Sequence, residues 1–432
     1  METMRFLMVT THYPPLAVGG DAIFVESLSR ELAARGHEVH VLFNPAVHTL
    51  VKKGIGTTYR EETSDTVIRH EHRPSARVVN ALLAYSFGRN PSAEDELNRI
   101  VRKFGIDVVN WHNTKAFFGV PSTNARLRYL YTAHDYFSVC PRSNLTRPDK
   151  SYCEDPRFCQ MCLLRWKRPP QFWRVGAHRS FKFPSDLKII CPSEFMARRL
   201  RKDGIRVASV LRTFVPDPGT EYIGRPESSS RITYVGVLEE HKGVSNLVEA
   251  FSDSRNEHGF SLTIIGDGTL RESIIQRVRK LELENRIEVT GFLTKKKMRE
   301  YVKDSAALVI PSQWPENAPA VVLEAFAQGI PVIGTDVGGL PEVLLESNAA
   351  LIVPPGRSGR LSEAILQLWS NSSMRRVMGR RAREHFENHA SIESYQSRYF
   401  GIINCPTGSG DTGHTNASLA GHSVVIGDDF GN

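Results

Sequence analysis

The chain has 432 residues, of which 41% are hydrophobic and 24% charged, with a formal net charge of +8 at pH 7 and 6 cysteines. That length is enough for two ordinary domains, and the apolar share excludes a chain that stays unfolded. No apolar run reaches the length of a membrane span, and Arg5–Thr10 runs into His12, Tyr13, Pro14 and Pro15 rather than the apolar core of a signal peptide, so a cytoplasmic protein is expected.

Arg5–Thr10 reads as a first strand, followed by a loop over Thr11–Gly20 and a helix over about Asp21–Arg35. Phe24, Leu28 and Leu32 share one face of that helix and Gly36 closes it. Strands are predicted at Glu38–Phe43, Asp107–Trp111, Arg128–Thr132 and Leu187–Cys191, and Ser193 suits the N-cap of a helix through about Lys202. Asp217–Ser230, rich in Pro, Gly and Ser, reads as a linker. A second alternation supplies strands at Arg231–Val237, Ser261–Ile265, Arg286–Val289, Ala307–Pro311, Pro331–Thr335 and Ala349–Val353. Helices over about Ser373–Asn388 and Ser391–Ile402 follow, and from Cys405 the Gly, Ser, Thr, Asn and Asp content predicts a poorly ordered tail. Alternating strands and amphipathic helices imply an α/β fold with parallel sheets.

The most informative stretch is Pro311–Thr335, PSQWPENAPAVVLEAFAQGIPVIGT. A buried strand leads into a loop, Pro319 suits a first helical turn, Val321–Gln328 continues as a helix and Gly329 caps it. A strand–loop–helix aims free backbone N–H groups and the positive end of the helix dipole at the loop, where phosphate is the usual occupant. Glu316 before the helix and Glu324 within it could then hold hydroxyl groups on either side of that phosphate, one on a sugar and one on a ribose. The competing reading is a solvated pair of glutamates at a helix start.

This string resembles the E-x7-E signature of the family-4 retaining glycosyltransferases, through Pro-Ser, Glu316-Asn317-x-Pro319, Leu323-Glu324-Ala325 and Gly329-x-Pro331-Val332. The resemblance covers Arg5 to about Phe400 and implies the GT-B fold, two Rossmann-like domains facing each other across a cleft. It divides the chain into an acceptor-side domain at 1–216 with a cysteine-rich insertion at 136–170, a linker at 217–230, and a nucleotide-sugar domain at 231–385. A helix at 386–403 would cross back to the first domain, and a disordered tail would occupy 404–432.

By the same resemblance Lys242, in Tyr234-Val-Gly-Val-Leu-Glu-Glu-His-Lys-Gly243, is the phosphate-contacting lysine, which offsets charge on a departing diphosphate. Many members carry Arg where this chain has Val237, so either another cation completes the phosphate clamp or Lys242 works with backbone amides alone. Gly19 and Gly20 match the glycine loop that lets backbone approach the diphosphate. His134, in Thr132-Ala-His-Asp-Tyr136, matches a histidine near the donor sugar, and Tyr13 and His112 fall on the acceptor side. Glu316 would meet the sugar or the reacting centre, the amides of Asn317, Ala318, Pro319 and Ala320 the distal phosphate and sugar, and Glu324 the ribose. Gly266, Asp267 and Phe292 would border the nucleotide, and Gly338-Gly339 is structural. Front-face substitution needs no protein nucleophile, and no carboxylate pair suits Mg²⁺, so transfer without a metal is expected.

Cys140, Cys153, Cys159 and Cys162 cluster in one region, where four thiolates could brace an insertion through a structural zinc. The alternative is reduced, packed cysteines. Between Arg165 and Arg206, 12 Lys or Arg stand against 3 acidic residues, with Trp166, Phe172, Trp173, Phe181 and Phe183 interleaved. That composition suits an anionic membrane surface or a lipid-linked acceptor, or else a solvated basic face, and without a nucleic-acid motif no nucleic-acid partner is expected. The expected partners are therefore a UDP- or GDP-sugar donor and a glycan, lipid-linked or small-molecule acceptor, in cell-surface polysaccharide or glycoconjugate assembly. A nucleotide-sugar 2-epimerase, a nucleotide-binding protein that lost catalysis, and a basic nucleic-acid binder with a zinc module are the rival readings.

Overall fold

Runs such as Phe6–Thr10 and Ala307–Ile310 are apolar or small at nearly every position, as strands covered on both faces must be. A computed structural model describes residues 2–15, 20–45, 66–74, 76–112, 127–149, 151–154, 159–174, 183–253 and 260–405. Its described residues separate into two units, one of residues 2–212 and 396–405, the other of residues 213–395.

The first unit runs β1 (Arg5–Thr10), α1 (Gly20–Ala34), β2 (Glu38–Phe43), β3 (Ile68–Glu71), α2 (Arg77–Phe87), α3 (Pro91–Phe104), β4 (Val108–Trp111) and β5 (Arg128–Thr132). It continues with α4 (Cys159–Arg165), β6 (Lys188–Cys191), α5 (Glu194–Lys202) and β7 (Ser209–Val210). The seven strands pair in parallel in the order β3-β2-β1-β4-β5-β6-β7. Chain direction across the sheet therefore reverses between β1 and β4, and the crevice beyond their carboxyl ends is where open α/β sheets bind ligands.

The second unit runs β8 (Arg231–Val235), α6 (Val244–Ser252), β9 (Ser261–Ile265), α7 (Arg271–Lys280), β10 (Ile287–Gly291), α8 (Lys295–Lys303), β11 (Ala307–Ile310) and α9 (Ala320–Ala327). It ends with β12 (Val332–Thr335), α10 (Leu340–Ser347), β13 (Ala350–Val353), α11 (Ser358–Ser370), α12 (Ser372–His385) and the start of α13 (Ile392–Asn404). Its six parallel strands are ordered β10-β9-β8-β11-β12-β13, so the reversal lies between β8 and β11.

Helix ends follow local chemistry. Ser193 accepts a hydrogen bond from the Met196 amide at 3.2 Å and starts α5, while Asn90 accepts from Ala93 at 3.2 Å ahead of Pro91 in α3. Each such cap contributes about 1 kcal/mol. The strand expected over Arg231–Val237 stops at Val235, because Gly236 and Leu238 turn aside to donate to the carbonyls of Ile265 and Asp267 at 3.0 and 2.9 Å. Pro319 is extended and precedes α9 rather than lying in its first turn. A π-helical turn over Phe386–Ala390 ends the helix expected through Asn388. From Gln396 on, the chain fastens to the first unit: Asn110 donates to the Tyr399 hydroxyl at 2.8 Å, and the Lys188 ammonium donates to the Ile402 carbonyl at 2.7 Å.

No helix among the described residues is long and apolar enough to cross a membrane. Gly19 and Phe181, and the tail beyond Cys405, lie outside the described residues.

Candidate functional site

In the second unit the loops after β8 and β11 meet at the reversal of strand order. A 3-10 turn over Glu240–Lys242 follows β8 and ends at Gly243, where φ is +70° and a Cβ would strike the Pro311 carbonyl. That close approach carries Lys242 to the loop after β11, where its ammonium donates to Glu316 Oε1 at 2.6 Å and the Ser312 hydroxyl donates to the same oxygen at 2.7 Å. Burial by itself would raise the Glu316 carboxyl. The charge and hydrogen bond of Lys242, then Ser312, outweigh it and hold the pKa below the ordinary carboxylate range. Glu316 is thus a carboxylate with 16% of its side chain exposed, beside an ammonium with 27% exposed.

Gly338 holds Glu316 from behind. Its φ is +66°, a Cβ there would come within 2.6 Å of the Glu316 amide nitrogen, and the Gly339 amide donates to the Glu316 carbonyl at 2.6 Å. The Trp314 ring stacks on His241 at 4.8 Å between centroids, and the Gln313 amide donates to the His241 carbonyl at 2.9 Å. About one turn into α9 from Ala320, Glu324 is partly exposed. Burial raises its pKa, and the positive charges of Lys295 and Arg299 on α8 partly oppose that shift.

The adjoining loops pack against one another. Gly266 (φ +147°) allows backbone contact with the Gly236 carbonyl, and its amide donates to the Gly291 carbonyl at 2.9 Å. Asp267 turns its carboxylate to the Gly268 amide at 2.8 Å, while Phe292 stands 49% exposed. Gly236–Lys242, Gly266–Gly268, Gly291–Phe292 and the Glu316 loop therefore all follow the carboxyl ends of β8, β9, β10 and β11. Asn317, Ala318, Pro319 and Ala320 form the passage from Glu316 into α9, whose first-turn N–H groups have no partners within the helix. Val237 is 43% exposed and contributes its carbonyl to the Tyr234 hydroxyl at 3.0 Å. Arg271 at the start of α7 lies 3.6 Å from the Cβ position of Gly291, a cation at the rim that sequence spacing did not disclose. Ser312, the His241–Trp314 stack, Lys295 and Arg299 were also missed. Only Ser312 had a sequence signal, as part of the Pro-Ser string.

In the first unit His112 directly follows β4, its amide donating to the Val9 carbonyl of β1 at 2.9 Å. His134 follows β5, and the two imidazoles share a hydrogen bond of 3.0 Å between His112 Nδ1 and His134 Nε2, with centroids 5.3 Å apart. Phe24 of α1 packs on both rings. Burial lowers both pKa values; proximity to His134 lowers His112 further, whereas Asp21 and Asp135 partly offset the effect on His134. The pair is therefore neutral at physiological pH, one ring donating and the other accepting. Gly20 opens α1 with no atom within 4 Å of its Cβ position. Tyr13, expected to face an acceptor, is 1% exposed and packs on Phe43 at 5.8 Å; burial, then Glu26, pushes its hydroxyl up to about 12. Its ring serves the core.

The possible zinc site has no assembled ligand set among the described residues. Cys140 belongs to the apolar core with Cys153 packed against it, and among the described residues no group of three or more His, Cys, Asp or Glu is placed to hold a metal ion. Burial first, then neighbouring sulfurs, raises the Cys153 and Cys162 thiols, so both are protonated at neutral pH in the absence of a cation. Cys159 opens α4 and, like the other three, is in no disulfide. Cys140 and Cys153 pack as small hydrophobes.

Two family descriptions match the chain: Glycosyltransferase Family 4 over residues 18–215 and Glycosyl transferases group 1 over residues 221–385. Among curated proteins, it is 29% identical to an N-acetyl-alpha-D-glucosaminyl L-malate synthase of Bacillus anthracis, over 93% of this chain and 98% of that one. Among solved structures, HepE of Anabaena in complex with UDP-glucose aligns with a TM-score of 0.63 at 16% identity, over 93% of this chain and 99% of that one. A TarM mutant of S. aureus in complex with fondaparinux, alpha-GlcNAc-glycerol and UDP aligns with a TM-score of 0.66 at 11% identity, over 93% and 100% of the two chains.

Proposed function

We propose that this chain, which belongs to the family-4 glycosyltransferases and has the GT-B fold, transfers a sugar from a UDP- or GDP-sugar to a hydroxyl of a glycan, lipid-linked or small-molecule acceptor with retention of anomeric configuration. The observation that carries the reading is the Lys242–Glu316 pair at the reversal between β8 and β11, beside the N-terminus of α9. A diphosphate seated there would meet one ammonium and a helix dipole of matching sign. As the bond between the anomeric carbon and the phosphate oxygen breaks, its electron pair goes to the phosphate and Lys242 offsets the new charge. The acceptor oxygen then bonds to the same face of the anomeric carbon and its proton passes to the departing phosphate. Every atom and charge is accounted for without a protein nucleophile.

Glu316 holds Lys242 extended into the site and is placed to accept hydrogen bonds from sugar hydroxyls. Glu324 would accept hydrogen bonds from the ribose hydroxyls. Lys242, with Arg271 at the rim, supplies positive charge that a divalent cation would otherwise supply, which supports metal-independent transfer. HepE was solved with UDP-glucose and TarM with UDP and a GlcNAc-glycerol, and these favour a uridine nucleotide for this chain too. A setting in cell-surface polysaccharide or glycoconjugate assembly fits such acceptors.

The test is a panel of nucleotide sugars, with and without acceptors, following nucleotide release by the wild type and Glu316→Ala. Release from one donor that requires an acceptor and is lost in Glu316→Ala supports transfer. Conversion of UDP-N-acetylglucosamine without an acceptor would make the chain an epimerase, and tight binding without turnover would make it a binding protein.

A further inference from the structure

Helix α2 is inside out. Its buried side carries Ala84, packed with Phe137, and Asn80, which exchanges two hydrogen bonds with Asn90. Its outward side carries Val78 (51% exposed), Val79 (54%), Leu82 (47%), Leu83 (50%) and Phe87 (55%). At about 100° per residue these five positions occupy one half of the helix circumference. An ordinary surface helix places such side chains against the core.

The apolar face continues past α2. Phe87 meets Phe172 at 5.6 Å between centroids, and Phe172 is itself 55% exposed. The Trp173 indole donates to the Tyr85 carbonyl at 3.0 Å, and a Cβ on Gly88 would lie 2.6 Å from the Trp173 ring, so the turn over Phe172–Arg174 is held against the end of α2. Gln171 ties that turn to α4: Gln160 Nε2 donates to the Gln171 carbonyl at 2.6 Å and the Gln171 amide donates back at 3.2 Å. From α4, Met161 and Leu164 stand 52% and 58% exposed.

The two segments that build this face carry charge of one sign only. Residues 76–90 and 159–174 together contain 6 Lys or Arg and no Asp or Glu. Only part of the basic, aromatic stretch read from the sequence contributes: Phe183 packs in the core on Tyr131, and Arg199 is buried in an ion pair with Asp203 at 2.9 Å. Among the described residues of that stretch, the segment that meets α2 is the one that adds an exposed aromatic, Phe172, to exposed basic side chains.

We propose that the outer face of α2, with Phe172 and the exposed side of α4, docks onto an anionic lipid bilayer. Half-exposed aliphatic and aromatic side chains would enter the acyl boundary, while Arg89, Arg165, Lys167 and Arg168 would meet lipid phosphates at the headgroup level. A second copy of the chain is a poor occupant. A two-fold contact sets the same patch against itself and would bring the basic fringes together with no acidic residue to answer them. The surface lies wholly in the first unit and does not depend on the donor assignment.

The test is co-sedimentation of the full chain with phosphatidylcholine vesicles, with and without roughly a third of phosphatidylglycerol. The wild type is expected to bind the anionic vesicles at least about tenfold better than the neutral ones, and less well as salt screens the basic fringe. Leu82→Asp/Leu83→Asp and, separately, Lys167→Glu/Arg168→Glu are each expected to weaken binding at least about tenfold. Both pairs are exposed, so thermal unfolding should not move, and that second measurement separates lost docking from lost folding. Failure of the wild type to bind, or unchanged binding by a folded Leu82→Asp/Leu83→Asp variant, overturns the proposal. So does a solution dimer that this variant dissociates, which would place a second copy on the face.

Discussion

Replacing Lys242 by Met preserves the length of the side chain and removes its charge. Glu316 would keep only the Ser312 hydroxyl at 2.7 Å, in a place where 16% of its side chain reaches solvent. Burial would then dominate and carry the carboxyl pKa above the ordinary range instead of below it. Removing one partner of a fully buried ion pair costs about 3–5 kcal/mol, and the partial exposure here reduces that to about 2 kcal/mol for the second unit. Glu316→Gln leaves an ammonium that can turn to water and should cost about 1 kcal/mol. The double variant should resemble Glu316→Gln, giving a coupling energy of about 1–2 kcal/mol.

Urea unfolding midpoints of the four proteins, measured from pH 7.5 to pH 5, test this. In the wild type the depressed Glu316 pKa contributes stability above the unfolded value of about 4.3, which is lost only as pH falls through the folded value. In Lys242→Met the raised pKa reverses the sign, so the penalty is full at neutral pH and shrinks as pH falls through the folded value. The gap between wild type and Lys242→Met should therefore narrow on acidification. Turnover should fall by about 10²–10³, the usual loss when one preorganised electrostatic partner of a developing anion is removed. A gap that does not change with pH, or a coupling below about 0.5 kcal/mol, would refute the reasoning.

Gly338→Ala forces a Cβ within 2.6 Å of the Glu316 amide nitrogen at a φ of +66°. It should cost about 2–4 kcal/mol in unfolding experiments and lower activity beyond that, because Glu316 is displaced. Glu324→Gln should raise KM for the nucleotide sugar by about tenfold with little change in kcat, if the ribose is its partner. It should not destabilise the fold at neutral pH, since a carboxyl whose pKa is raised by burial weakens the fold wherever it is ionised. For His112, whose folded pKa lies below 6.5, the unfolded chain binds the extra proton and stability falls as pH drops through the unfolded value. His112→Asn should flatten the fall in urea midpoint between pH 7 and pH 5, and an equally steep fall in the variant would exclude this origin.

Much of the architecture was readable because buried parallel strands are short apolar runs. Arg5–Thr10, Glu38–Phe43, Arg128–Thr132 and Ser261–Ile265 match the structure residue for residue. What escaped was amphipathic in an unusual sense or not apolar at all. Ile68–Glu71 carries Arg69 and His70 on an edge strand and lacks a strand's apolar run, whereas Arg77–Phe87 does carry a helical apolar period that went unread, on the face that turns outward. Asn90-Pro91 marked the start of α3, but its charged outer face concealed the helix. In the candidate site Lys242, Glu316 and Gly338 were legible from one string each, and the structure brings all three together. His241, Trp314 and Arg271 were not, because proximity across loops after different strands leaves no spacing to read. For the cysteines, closeness in sequence left a metal and simple packing both open, and the structure shows Cys140 in the apolar core with Cys153 against it.

The two units reach opposite electrostatics from the same topology. In each, the strand order reverses between the first and fourth strands, β1 and β4 in one, β8 and β11 in the other. In the first unit the residue following β4 is His112, whose partner is another imidazole, with Asp21 and Asp135 the charges nearest that pair. In the second, the loops after β8 and β11 put an ammonium against a carboxylate. Topology fixes where a ligand can sit, and the few residues after each strand decide which charge it meets. The two places should then answer acid differently. Between pH 7 and pH 5 protonation threatens the histidine pair, whose neutral form burial favours, while Glu316 stays ionised because Lys242 holds its pKa down. Reversible loss of activity over that interval should therefore persist in Glu324→Gln, which removes the second unit's raised carboxyl and keeps the Lys242–Glu316 pair, and a flat profile in that variant would place its origin in the second unit.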